Sequence, residues 1–217
     1  EIISISVNPV KDIYGKLKLG VIVAEDGNGI GTITYFTDEG FGSLGHAIIN
    51  DKKEEISIYN GKIYNAQITG VVKGEKGKAG ELKGILFKDK QIGDITKNVS
   101  SGTYGNIIDG YNLNKYKKIE IGEAEIGKAT VYTTVVGNQP KEYSIQIVKT
   151  DSLFKDEKNL VIKINSSELL DITNGIVQGM SGSPILQNGK LVGAVTHVFI
   201  NDPTRGYGIK IQDMINK

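Results

Sequence analysis

Gly179-Met180-Ser181-Gly182-Ser183-Pro184-Ile185-Leu186-Gln187-Asn188-Gly189-Lys190-Leu191-Val192-Gly193-Ala194-Val195-Thr196-His197 is the stretch on which the reading of this chain turns. A serine set between two glycines is followed by a short apolar run, an Asn-Gly pair and a second apolar run. Asn-Gly between apolar segments is a strong two-residue hairpin signal, so the serine sits on a tight bend that feeds directly into a β-hairpin. Gly182 lets the chain turn closely behind Ser181, and a bend of this kind can expose the amides of Gly179 and Ser181 as a pair of donors for a developing oxyanion. An α/β-hydrolase elbow is excluded, because Gly-x-Ser-x-Gly needs glycine where Ser183 stands and no parallel βαβ pattern surrounds it.

Outward from this stretch, composition narrows the classes. The 217 residues suffice for one large β domain or two small barrels sharing a cleft. A net charge of +1 argues against a nucleic-acid partner, which calls for a strongly basic face. The absence of cysteine removes disulfides, zinc-cysteine sites and a cysteine nucleophile together, and no metal or cofactor is expected. No window holds the run of about 18 apolar residues that a membrane span requires. No secretory leader opens the chain at Glu1, so the chain reads as a fragment of a processed protein.

Taken in order, the remainder is β grammar. Ile2 to Val10 and Leu17 to Ala24 alternate as strands, and Ile30 to Phe36 places Ile30, Thr32, Thr34 and Phe36 on one side. The first of only two histidines follows in Gly42-Ser43-Leu44-Gly45-His46. Ile56 to Tyr59 and Ile63 to Val72 are expected to pair about Asn60-Gly61. Lys73 to Lys83 is a Gly/Lys-rich hairpin tip; it fails as a phosphate loop because Ala79 follows Gly77-Lys78. Short strands are expected at Ile85 to Phe87, Ile92 to Ile95 and Tyr104 to Ile108, with a crossover near Asp109 to Lys118. Ala129 to Val136, Tyr143 to Val148, Leu160 to Ile164 and Tyr207 to Ile211 are further strands. Ser166 to Thr173 predicts a short helix capped by Ser166 or Ser167 and ended at Asn174-Gly175, and Gln212 to Lys217 a terminal helical turn. The sum is an all-β fold of two barrels with a short C-terminal helix, about 1–115 and 116–217.

A serine hydroxyl needs a base at neutral pH, and His46 and His197 are the two candidates. His46 lies in a glycine-flanked corner after a half-barrel's worth of strands; His197 lies in an apolar run one residue past Thr196. The glycines and proline around and after Ser181, and the hydroxyl of Thr196, are spaced as in the active-serine segment of chymotrypsin-like proteases, which the stretch therefore resembles. More narrowly, Gly29 to Thr32, Gly45-His46 and above all Gly175 to Gly208 resemble the SpoIVB (stage IV sporulation protein B) peptidases.

That resemblance implies His46 as base and Ser181 as nucleophile, with Gly175, Ile176, Thr196 and His197 lining the substrate cleft. The segment Gly175 to Gln178 holds no carboxylate, so small or apolar side chains are expected before the scissile bond. The family's acid position falls on Ser166; the acid has either been replaced there by a hydroxyl or moved, with Asp171 the first alternative and Glu168, Asp94 and Asp109 further ones. The resemblance further implies a protein substrate, a regulator of an intramembrane protease, cleaved outside the cytoplasm between the forespore membranes. It also implies a membrane anchor and a PDZ domain upstream of this segment. Two function classes stand at this point: an active serine endopeptidase, and a degenerate paralogue that keeps the fold and binds a peptide or protein without efficient cleavage.

Overall fold

The computed structural model describes residues 10–11, 17–18, 29–50, 52–58, 61–150 and 158–216. Of the two strands expected before residue 25, only β1 (Val10–Lys11) and β2 (Leu17–Lys18) fall within them, paired antiparallel; the rest of both, and Asn60, lie outside the described residues.

The C-terminal unit is a closed barrel. Its strands are β8 (Gly127–Thr133), β9 (Lys141–Thr150), β10 (Leu160–Ile164), β12 (Pro184–Gln187), β13 (Lys190–Phe199) and β14 (Asp202–Lys210). They close in the order β10-β14-β13-β12-β8-β9. Alternation explains the closure: Val131, Ile145, Ile147, Leu160, Ile162 and Ile185 point inward and are 0–1% exposed, while Lys128, Gln146 and Lys163 on the same strands face out. Each such inward side chain contributes roughly 1.5–3 kcal/mol by leaving water.

The N-terminal unit is a sheet of β3 (Ile33–Phe36), β4 (Phe41–Ser43), β5 (Gly61–Val72), β6 (Gly80–Val99) and β7 (Gly102–Ile107), joined by β11 (Val177–Gln178). Its order is β11-β6-β7-β4-β3, with β5 on β6. The all-β layout of two units expected from the sequence is present; among the described residues the first is an open sheet rather than a barrel and the second is a closed barrel. β11 is the tie between them: Val177 and Gln178, two residues before the bend at Ser181, pair in parallel with Gly80 and Glu81.

Two expectations are corrected. Residues 56–58 form no strand and β5 does not fold back on them: Ile56 donates to Ile48 O, and its carbonyl accepts from Asn98 Nδ2. β5 pairs instead with β6 across the 73–79 tip. The separate strands at Ile85 to Phe87 and Ile92 to Ile95 are one 20-residue strand, β6. Gly93, within this strand, is a close approach: a Cβ there would lie 2.4 Å from Asn106 O on β7.

The helix α1 (Ser167–Thr173) forms as its end signals require. Ser166 is extended, and its Oγ accepts from Leu169 N at 3.2 Å; Asn174 closes the helix in the left-handed region with φ 57°. The C-terminal turn is α2 (Ile211–Ile215), pinned by the fully buried Ile211 and Met214. Because Ser166 satisfies an orphan amide, Ser166→Ala should lower unfolding free energy by about 1 kcal/mol, whereas Ser166→Asp, also a good cap, should not. Urea unfolding of both variants checks this; equal losses would remove the capping role.

Candidate active site

The bend at Ser181 is built from two left-handed glycines and a buried anchor. Gly179 has φ +99° and Gly182 φ +87°, and Met180 between them is fully buried. Met180 N donates to Val177 O and Ser183 N to Met180 O, closing the turn. Gly182 admits no side chain at all: a Cβ would fall 2.0 Å from Thr32 O and 2.6 Å from Leu44 N. The bend is therefore pressed against the N-terminal sheet.

Thr32 and Thr34 hold it there. Thr32 N donates to Ser181 O at 2.9 Å, Thr32 Oγ1 to Gly179 O at 3.3 Å and Thr34 Oγ1 to Gly182 O at 2.8 Å. From the barrel side, Gly182 N donates to Val195 O, Val195 N to Ser183 O, and Ser183 Oγ to Thr133 Oγ1. Sequence reasoning missed both threonines as positioning residues. Their shared side of the strand was visible, but not the carbonyls they meet, 147 and 148 residues away.

The same Thr32 places the histidine. Its carbonyl accepts from Leu44 N at 3.2 Å, and Gly45 N turns back on Ser43 O. Leu44 and Gly45 both take positive φ, 66° and 71°, an unfavourable state for leucine that the surrounding bonds impose. This corner delivers His46 with Nε2 2.9 Å from Ser181 Oγ. Its Nδ1 lies 2.9 Å from Ala47 O. A carbonyl oxygen can only accept, so Nδ1 carries the proton and Nε2 offers its lone pair to the serine.

Ser181 Oγ is also 2.9 Å from Thr196 O. The single hydroxyl proton therefore has two acceptors. Thr196 is the extra residue of a bulge in β13, between the pairs Val195↔Gly208 and His197↔Tyr207, and the bulge turns its carbonyl toward the serine. Around the bend the amides of Met180, Gly182 and Ser183 are spent on carbonyls. Among the described residues those of Gly179 and Ser181 donate to no backbone acceptor, which leaves two donors side by side.

His197 stacks on His46, ring centroids 4.8 Å apart at 41°. Its Nδ1 is buried without a hydrogen-bond partner. Burial, then the neighbouring His46 and then Lys158, push its pKa down to about 4. Ile176, 3% exposed, donates its amide to Pro203 O and covers Gly206, where a Cβ would meet Ile176 Cδ1 at 2.6 Å. Gly175 before it is in the left-handed region at φ +131°.

The structure thus brings together His46, Ser181, Gly179, Thr196 and His197, with Gly175 and Ile176 on the segment behind them. Ser166 and Asp171 are elsewhere. Ser166 Oγ is committed to Leu169 N and its amide to Ser144 O; Asp171 is exposed on α1. Neither makes a hydrogen bond to His46. Among the described residues no cluster of His, Asp or Glu could hold a metal ion.

A serine bend and a histidine corner, meeting through one hydroxyl–imidazole contact, fit the class of serine peptidases. The family model for SpoIVB peptidase S55 matches residues 15–215, so the chain belongs to that family. No curated protein matches the sequence. Among solved structures, the active form of the Rv3671c protease from M. tuberculosis is 14% identical, with a TM-score of 0.44 over 67% of this chain and 66% of that one. An inactive form of Rv3671c is 12% identical, with a TM-score of 0.39 over 70% and 86%.

The depressed His197 pKa has a sign that can be measured. Unfolded, the imidazole titrates near 6.5; folded, it takes its proton only near 4. Between these values the unfolded chain binds the proton and the folded chain does not, so stability present above 6.5 is lost as pH falls toward 4. His197→Phe should flatten that part of the stability profile. Urea midpoints at the two ends of the window test it, and a slope identical to wild type would contradict it.

Proposed function

We propose that this chain is a serine endopeptidase in which Ser181 is the nucleophile and His46 the general base. The observation that carries the proposal is the 2.9 Å contact between His46 Nε2 and Ser181 Oγ, with Nδ1 anchored on Ala47 O. As Ser181 Oγ attacks the peptide carbonyl, its proton passes to Nε2. The carbonyl oxygen becomes an oxyanion held by the amides of Gly179 and Ser181. Collapse of the tetrahedral intermediate breaks the C–N bond, His46 returns the proton to the leaving amine, and a water repeats the cycle on the acyl-enzyme.

Family membership supports a protein substrate in a sporulation signalling cascade, a regulator of an intramembrane protease, cleaved in the space between the forespore membranes. Among the described residues no helix is long and apolar enough to cross a membrane. On the substrate side, Ile176 over Gly206 leaves little depth behind the bend, and small side chains before the scissile bond suit it.

A fluorophosphonate probe should label the wild type. It should fail on Ser181→Ala, and His46→Gln should slow labelling by at least about 10³-fold. A wild-type protein inert to the probe would favour a binding module that has lost its chemistry. Peptide-library cleavage should show small residues before the bond; dominant Arg or Lys there would contradict the assignment of Ile176.

A further inference from the structure

Beyond Ala194, β13 loses β12 as a partner: their pairing ends at Pro184↔Ala194. The nucleophile bend then runs along that edge as far as Thr196, whose carbonyl reaches Ser181 Oγ. From His197 to Phe199 no described strand pairs with this edge, and β14 occupies the other. A polypeptide whose carbonyl sits on Ser181 can continue along this edge as an added strand. The side chains it would pass belong to one outer face, because directly opposed residues share a face. His197 opposes Tyr207, and Tyr207 and Arg205 oppose Val161 and Lys163 of β10.

That face is aromatic and cationic. The Phe199 and Tyr207 rings are 4.6 Å apart. Arg205 reaches across from β14 so that its guanidinium carbon lies 5.7 Å from the Phe199 centroid. Lys158 Nζ lies 5.9 Å from that of Tyr207. Arg205 and Lys163 stand directly opposite each other on adjacent strands, an arrangement of like charges that costs stability. Among the described residues neither makes an ion pair, and Arg205 Nε is buried without a hydrogen-bond partner. The nearest carboxylate on the strand pair, Asp202 opposite Phe199, is occupied: its Oδ1 accepts from Thr204 N and Oγ1.

We propose that Arg205, supported by Lys163 and seated on Phe199, is a subsite that binds acidic side chains in the stretch of substrate running along β13. An Asp or Glu carboxylate supplies what the described residues of this face do not: an acceptor for the orphaned Nε and a negative charge between two opposed cations. The aromatic floor removes water from the pair, which strengthens it relative to an exposed ion pair. The inference rests on the peptidase reading of Ser181 for the path of the substrate, not for the binding itself.

The test uses the Ser181→Ala protein and short fluorescein-labelled peptides that share one alanine flanked by Glu-Glu, Gln-Gln or Lys-Lys on its N-terminal or C-terminal side. Anisotropy at low salt should show the Glu-Glu peptide bound about tenfold tighter than Gln-Gln, on one side of the alanine only. Arg205→Glu should reverse the order in favour of Lys-Lys, and Lys90→Glu on the β5–β6 hairpin should leave it unchanged. If Arg205→Glu does not fold, Arg205→Gln must level Glu-Glu with Gln-Gln. Equal affinities, a preference that survives loss of Arg205, or capture of anionic vesicles or single-stranded DNA without Glu-Glu preference overturns the proposal. Wild-type protein inert to the fluorophosphonate but showing the Glu-Glu preference would refute the peptidase reading alone. Labelled protein without the preference would refute the subsite alone.

Discussion

One residue's backbone joins the two segments on which the site depends. Thr32 N–H holds Ser181 O and Thr32 C=O holds Leu44 N, so the serine bend and the histidine corner are registered against the same residue. His46 and Ser181 are 135 residues apart in sequence, one just after β4 and the other just before β12, strands of different sheets. Without a shared reference, small slippage between the sheets would open the Nε2–Oγ contact, and proton transfer falls off steeply outside hydrogen-bond range. Other features follow from this constraint. Gly182 is glycine because Thr32 O fills the place of its Cβ, and Leu44 accepts a left-handed backbone because its amide must reach the same carbonyl. β11, adding Val177 and Gln178 to the N-terminal sheet, is a second stitch along the same seam.

The electrostatics of the site follow from which groups are kept neutral. Ala47 O fixes the His46 tautomer through a backbone contact that no substitution of the Ala47 side chain can remove. His197, against the other ring, is held uncharged by burial at any pH well above 4. A cationic neighbour there would oppose the imidazolium that the proposed attack of Ser181 forms. Burial of His197 therefore has a consequence for the reaction, at the cost of one unsatisfied ring nitrogen and some acid stability.

How much of this was legible follows from how local each signal is. The serine bend, the Asn188-Gly189 hairpin and the capped helix from Ser166 to Asn174 are short-range patterns, and the structure shows the helix and hairpin where the residues put them. Pairing over distance was not legible. Asn60-Gly61 advertised a tight hairpin, yet β5 took β6 as its partner, because a turn preference of a few tenths of a kcal/mol is outweighed by a ladder of cross-strand pairs. Residues 88–91 looked like a gap between two strands and instead continue β6, with Gln91 paired to Tyr64. Ser166 stood at the position of an acid but its hydroxyl caps α1. The Nδ1 contact had no sequence signature, since every residue carries the same carbonyl. Thr32 and Thr34 were visible as a pair on one face, and only the fold shows what that face meets.

The proposed chemistry depends most directly on the protonation state of one ring. Nitrogen-15 NMR of His46 in the uncomplexed protein, at a pH above its titration, distinguishes the two neutral tautomers. The account predicts a proton on Nδ1 and a hydrogen-bonded lone pair on Nε2, whose resonance shifts when Ser181 is replaced by alanine. A proton found on Nε2, or an Nε2 resonance indifferent to the loss of the Ser181 hydroxyl, would contradict it.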